Sequence, residues 1–122
     1  MIDYGNVLSV CCPATKETTD LINKETLEYL PQGAVVTNVA RGDIVNDEAL
    51  IDALNRRKVY AVGLDVYKGE PNLNPGYLKH KSAFILPHLG SASKLTRTAM
   101  ADLAIDNIDE FFNSGSCKNK VN

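Results

Sequence analysis

Three side chains with acid, base and anion-binding chemistry stand at separated points of the chain: Arg41 in NVARGD, Glu70 in GLDVYKGEP and His88 in LPHLGSAS. A guanidinium grips a carboxylate through two parallel hydrogen bonds, and that grip orients a carbonyl next to it. An imidazole can give a proton to such a carbonyl oxygen as a hydride reaches the carbon, and take it back in reverse. A carboxylate on the other ring nitrogen fixes the tautomer. Each of the three thus has a physical job if the ligand is a 2-oxo or 2-hydroxy acid. Each residue also has a plainer reading: Arg41 as a structural cap or ion pair, His88 as a polar residue closing a strand, Glu70 as an ordinary loop carboxylate before Pro71. Residue type does not decide between these. Placement does.

The elements that must position them follow from the pattern of apolar residues. NVLSVCC (Asn6 to Cys12) is β-branched and closed by Pro13, which reads as a buried strand, and PATKETTD follows as a polar connection. Lys24 to Leu30 reads as a short helix stopped by Pro31 and Gly33. Gly33 to Ala40 is a second strand and RGDIV a turn after it. Asn46 is a candidate N-cap, Asp47 and Glu48 fill the first helical turn, and Ala49, Leu50, Ala53 and Leu54 form a stripe at helical spacing. Arg56, Arg57 and Lys58 would close that helix as a solvated, dipole-matched end. Val59 to Tyr67 is a third strand, apolar on both faces as in a covered parallel sheet. A loop rich in glycine and proline leads to a fourth strand, Ala83 to Leu86. A long helix from about Ser93 to Phe112 then offers Leu95, Ala99, Met100, Leu103, Ile108 and Phe111 for packing, and NSGSCKNKVN reads as a frayed tail.

Strands alternating with helices in this order are the grammar of a doubly wound α/β sheet. In open sheets of that kind ligands sit at the carboxyl ends of the strands. Arg41 follows the second strand, Asp65 and Glu70 the third, His88 the fourth. The trio should converge on one edge.

With 122 residues, 44% apolar and 23% charged, the chain has the composition of one ordinary globular domain. A net charge of −2 gives no electrostatic reason to expect nucleic acid or an anionic membrane. No leader-like segment and no long apolar run is visible. Three cysteines, Cys11, Cys12 and Cys117, are an odd count that points to reduced thiols and a cytoplasmic setting. Cys11 and Cys12, on opposite faces of an extended strand, read as small buried side chains and not as a metal pair. No metal site is expected.

NVARGDIVNDEALIDAL, AVGLDVYKGEP and LPHLGSAS, spaced 29 residues from Arg41 to Glu70 and 18 from Glu70 to His88, resemble the D-isomer-specific 2-hydroxyacid dehydrogenases. The likeness starts near VLSVCCPATKETTDLIN and runs to about Phe112. It implies residues 1–112 as the C-terminal part of an NAD(P)-binding Rossmann domain, a partial Rossmann-type sheet with a long C-terminal helix, and 113–122 as a flexible tail. It implies that Arg41 binds the substrate carboxylate, that His88 is the acid/base and that Glu70 is its partner. It further implies NAD or NADP contacts from Pro13, Thr18, Ala40, Arg41, Asp65, His88, Gly90 and Ser91. HLGSAS looks most like the glyoxylate/hydroxypyruvate reductases, and a glutamate at position 70 favours 2-hydroxyacid chemistry over formate oxidation.

The eight glycines include no two separated by one residue, so the chain contains no G-x-G-x-x-G phosphate turn. The resemblance covers nearly all of this chain but well under half of a complete family member. It therefore implies that the pyrophosphate cradle and the substrate domain come from elsewhere. Activity is expected only on completion by self-association or by a partner chain; the other reading is a non-catalytic nucleotide-binding or oligomerisation module.

Overall fold

The computed structural model describes residues 6–121, so the extreme N-terminus read for a leader and the last residue of the tail lie outside the described residues. Two compact units divide after His88. The first holds a four-stranded parallel sheet in the order β1 (Val7–Val10), β2 (Ala34–Asn38), β3 (Val59–Leu64), β4 (Ala83–Ile85). The registers Val10↔Asn38, Asn38↔Leu64 and Leu64↔Ile85 line up the carboxyl ends of all four strands.

Helix α1 (Lys24–Glu28) starts at a reciprocal cap: the Asn23 side chain accepts from the Glu25 and Thr26 N–H groups, and Thr26 Oγ1 accepts from Asn23 N–H at 2.8 Å. Pro31, unable to donate a backbone hydrogen bond, forbids a longer helix. Helix α2 (Asp47–Asn55) begins as expected at Asn46, whose Oδ1 accepts from Ala49 N–H at 3.0 Å. Its buried stripe, Leu50, Ile51, Ala53 and Leu54, joins Leu27 of α1 and Val36, Val62 and Leu64 of the sheet in one apolar core. The basic end of α2 is more than a solvated cap. Arg56 bonds both Asp52 and Glu28, and Lys58 donates to the Glu28 carbonyl, which ties α2 to α1.

Every strand-to-strand step runs in the same direction. Right-handed crossovers then place α1 and α2 on the same face. The first unit consequently covers one face of its sheet. β3 is buried on that face only: Val59, Val62 and Leu64 are inside, whereas Tyr60 is 70% exposed, as are Val7 and Phe84 to similar degrees. The expectation that β3 is covered on both faces is corrected within this unit. Strand β1 also stops earlier than expected, at Val10, so Cys11 lies beyond it and is exposed instead of buried; all three cysteines are free thiols.

The loop between β3 and β4 is less of a loop than its Gly and Pro content suggested. It holds a 3-10 turn, Tyr77–Lys79, in which Tyr77 is fully buried and donates its hydroxyl to Asp47 Oδ1 at 2.8 Å.

The second unit, taken by itself, is dominated by α3 (Lys94–Ser114). Ser93 caps it through Thr96 N–H, and Gly115 ends it in the left-handed conformation that glycine adopts without penalty. None of its residues is buried. The segment after Gly115 returns hydrogen bonds to the helix, from Lys118 N–H to Glu110 and from Asn119 to Asn107. Among the described residues no helix is long and apolar enough to cross a membrane.

Candidate active site

The carboxyl end of β2 is organised by one buried amide. Asn38 is the core's polar member, 1% exposed. Its Oδ1 accepts from Ala40 N–H at 3.0 Å and its Nδ2 donates to the Arg41 carbonyl at 2.9 Å. Those two bonds fold residues 39–41 into a fixed turn and set the direction in which Arg41 leaves the sheet. The sheet ladder continues through Val39 N–H to Val10 and Asp65 N–H to the Asn38 carbonyl, so the loops after β1, β2 and β3 are held side by side.

Gly42 then brings two of these loops into direct contact. A Cβ at this position would lie 2.1 Å from the Tyr67 carbonyl carbon and 2.4 Å from Lys68 N. Only a residue without a side chain lets the Arg41 turn rest on the backbone that leads to Glu70. Glu70 in turn has both oxygens engaged: Oε1 accepts from Tyr67 N–H at 3.0 Å and Oε2 lies 2.8 Å from His88 Nδ1. Burial pushes the Glu70 carboxyl upward, but the hydrogen bonds from His88 and Tyr67 outweigh it and hold the group below the usual glutamate range. An ionised carboxylate can only accept, so the shared proton sits on His88 Nδ1 and Nε2 is left for other work. His88 itself has φ +56°, a left-handed backbone uncommon outside glycine and enriched at functional positions.

Arg41, Glu70 and His88 line one cleft of about 300 Å³ together with Ala14, Gly42, Asp43, Tyr67 and Gly69. Adjoining it through Ala14 and Arg41 is a groove of about 490 Å³ walled by Cys11, Cys12, Pro13, Val39 and Ala40. One Arg41 N–H donates to the Ala40 carbonyl at 2.7 Å. The three sequence-predicted chemical residues are thus brought together.

The expected cofactor contacts divide. Pro13, Ala40 and Arg41 wall the groove. Thr18 spends its hydroxyl inside its own loop: it donates to the Pro13 carbonyl at 2.9 Å and accepts from Thr15 N–H at 2.7 Å. Asp65 follows β3 and its charge acts on Glu70. Gly90 and Ser91 belong to the second unit. Sequence reasoning missed Asn38 and Gly42; the signal was an amide inside the otherwise apolar run VVTNVA, and a glycine directly after the arginine.

Residues 1–90 match the family model of the D-isomer specific 2-hydroxyacid dehydrogenase NAD-binding domain. The chain belongs to this family. Over 112 residues it is 42% identical to a glycerate dehydrogenase of Hyphomicrobium methylovorum, covering 92% of this chain and 35% of that protein. Among solved structures, a D-isomer specific 2-hydroxyacid dehydrogenase from Xanthobacter autotrophicus Py2 is 33% identical with a TM-score of 0.87, over 98% of this chain and 40% of that one. An NADPH-dependent glyoxylate/hydroxypyruvate reductase from Sinorhizobium meliloti, solved with NADP and malonate, is 37% identical with a TM-score of 0.88, over 93% and 35%. The chain thus spans little more than a third of the length of these relatives, and its residues 1–90 are the part that matches the NAD-binding domain model.

Proposed function

We propose that this chain carries the acid/base and carboxylate-binding end of an NAD(P)-dependent 2-hydroxyacid dehydrogenase, which reduces a 2-oxo acid such as glyoxylate or hydroxypyruvate to the 2-hydroxy acid. The observation that carries the reading is the 2.8 Å pairing of His88 Nδ1 with Glu70, in the same cleft as Arg41. Arg41 takes the substrate carboxylate through its planar fork, which turns the 2-oxo group toward His88. Protonated His88 gives its Nε2 proton to the carbonyl oxygen during reduction; neutral His88 removes the hydroxyl proton during oxidation. Glu70 holds the ring in the tautomer that both directions need and balances the imidazolium charge.

The groove beside the cleft fits the nicotinamide end of a dinucleotide: its walls at Pro13, Ala14, Val39 and Ala40 are small or flat, and it opens onto the position of Arg41. When bound there, NADH or NADPH supplies the hydride. Every copy of these residues lacks a G-x-G-x-x-G turn, so we assign the pyrophosphate cradle to a segment or partner chain outside them, or to backbone N–H groups of another kind that a second copy brings to the groove.

The test is NADH and NADPH oxidation with glyoxylate and with hydroxypyruvate over a range of protein concentrations. Turnover that rises faster than linearly with concentration, and is abolished in Arg41→Ala, is the expected result. Nucleotide binding without turnover under all conditions would instead establish a non-catalytic nucleotide-binding module.

A further inference from the structure

Ala14 stands where the two halves of the proposed chemistry meet. With Arg41, it lines both the cleft that holds Glu70 and His88 and the groove beside that cleft. An alanine side chain has no polar group to anchor it, so its place is set by its backbone. One hydroxyl holds that backbone. Thr15 N–H donates to Thr18 Oγ1 at 2.7 Å, and the Thr18 hydroxyl donates to the Pro13 carbonyl at 2.9 Å. The alternative acceptor for that hydroxyl, the Thr15 carbonyl, lies farther off at 3.3 Å.

The Pro13 carbonyl belongs to the peptide group before Ala14, and Thr15 N–H to the peptide group after it. A single oxygen thus bridges the two planes whose relative rotation is the φ and ψ of Ala14. The same bridge engages the Pro13 carbonyl, and since proline has no N–H, its ring is the main thing Pro13 offers the groove. The far end of the loop is tied down separately. Asp20 N–H donates to the Asp43 carbonyl at 2.9 Å and Ile22 N–H to the Ile44 carbonyl at 3.0 Å, both on the turn that follows Arg41. Thr18 is the brace at the near end.

We infer that Thr18 is a positioning residue for nucleotide binding: its hydroxyl, acting through Pro13 and Ala14, holds the groove wall in the shape that receives the nicotinamide end. The inference rests on the groove reading above, and it gives Thr18 an indirect role where the sequence resemblance implied a direct contact. Fixing the backbone of one residue is worth roughly a factor of ten in an equilibrium, which sets the size of the effect.

The experiment uses the whole chain and two readouts: exchange of the Thr15 amide with water in the free protein, and amide NMR titration with NADH. Thr18→Val removes the hydroxyl at nearly constant shape and Thr18→Ser keeps it; Thr18→Ala replaces the valine variant should that one fold poorly. In Thr18→Val, Thr15 exchange should quicken and NADH affinity should fall, each roughly tenfold, and Thr18→Ser should restore both. Thr19→Val removes only a bond to the Thr15 carbonyl and should leave both unchanged. Weakened NADH binding with Thr15 exchange unaltered would make Thr18 a direct nucleotide contact. Faster exchange with affinity retained, or a loss that serine does not restore, would leave it a structural residue. Each of these overturns the positioning role. No NADH binding by the unaltered chain would overturn the groove reading and the role with it; the exchange readout, which needs no ligand, tells that failure from a failure of the Thr18 bonds.

Discussion

Gly42 is the residue at which the geometry of the cleft can be pressed hardest. Its φ lies outside the left-handed region, so alanine meets no backbone penalty there and the whole effect of Gly42→Ala is steric. The new Cβ would lie 2.1 Å from the Tyr67 carbonyl carbon, where ordinary contact begins at 3.4 Å; 3.4 minus 2.1 leaves about 1.3 Å by which the two loops must part. The obstacle is backbone, which cannot rotate away as a side chain can. Overpacking of this kind costs about 1–3 kcal/mol, a fall in Tm of several degrees for a domain of this size. The separation would also move Arg41 relative to the Tyr67 N–H that anchors Glu70, and a misplacement of about 1 Å costs on the order of a hundredfold in rate. Thermal denaturation and amide NMR read both effects. Gly33→Ala is the control, because Gly33 has φ +80° and a methyl added to it would meet nothing within 4 Å: it should destabilise through backbone strain while leaving the Arg41 and Tyr67 resonances in place. If Gly42→Ala leaves both Tm and those resonances unchanged, the close approach does not exist in solution and Gly42 does not position Arg41.

Two further outcomes are expected from the bonds around the cleft. Asn38→Leu keeps the branched shape but takes the partner away from the part-buried bonds to Ala40 N–H and the Arg41 carbonyl; urea denaturation should show a loss of about 1–3 kcal/mol. Glu70 is held below the ordinary glutamate range in the fold, so its contribution to stability is present above the unfolded value and lost as pH falls through the folded one. Acid denaturation should therefore be shallower in Glu70→Gln, with a modest difference because the side chain is 31% exposed.

Much of this architecture was legible in the residues, for identifiable reasons. Helix α2 has both an N-cap and a stripe at 3.6-residue spacing, and it begins where Asn46 indicated. The parallel sheet follows from β-branched runs separated by crossover-length segments. The order of Arg41, Glu70 and His88 after successive strands was enough to put them on one edge. What escaped were features defined by approach in space. Tyr77 belongs to a three-residue turn too short to carry a period, yet its ring fills the core and its hydroxyl meets half-buried Asp47. Gly42 looks like any turn glycine until Tyr67 is seen against it. The one-sided cover of the sheet in the first unit depends on the direction of strand order, which apolar runs do not encode; Tyr60 and Val62, two apart, read alike in sequence, but a register shift after Val59 leaves Tyr60 out of the ladder and exposed while Val62 is inside.

The central claim is that His88, set by Glu70, moves the proton. The most direct measurement is turnover by His88→Asn in both directions, under the conditions in which the unaltered chain is active, with nucleotide binding followed in parallel. Reduction and oxidation should both fall by roughly 10²–10⁴-fold while nucleotide affinity is kept. Turnover that survives the substitution would contradict the claim, whatever the geometry of the pair.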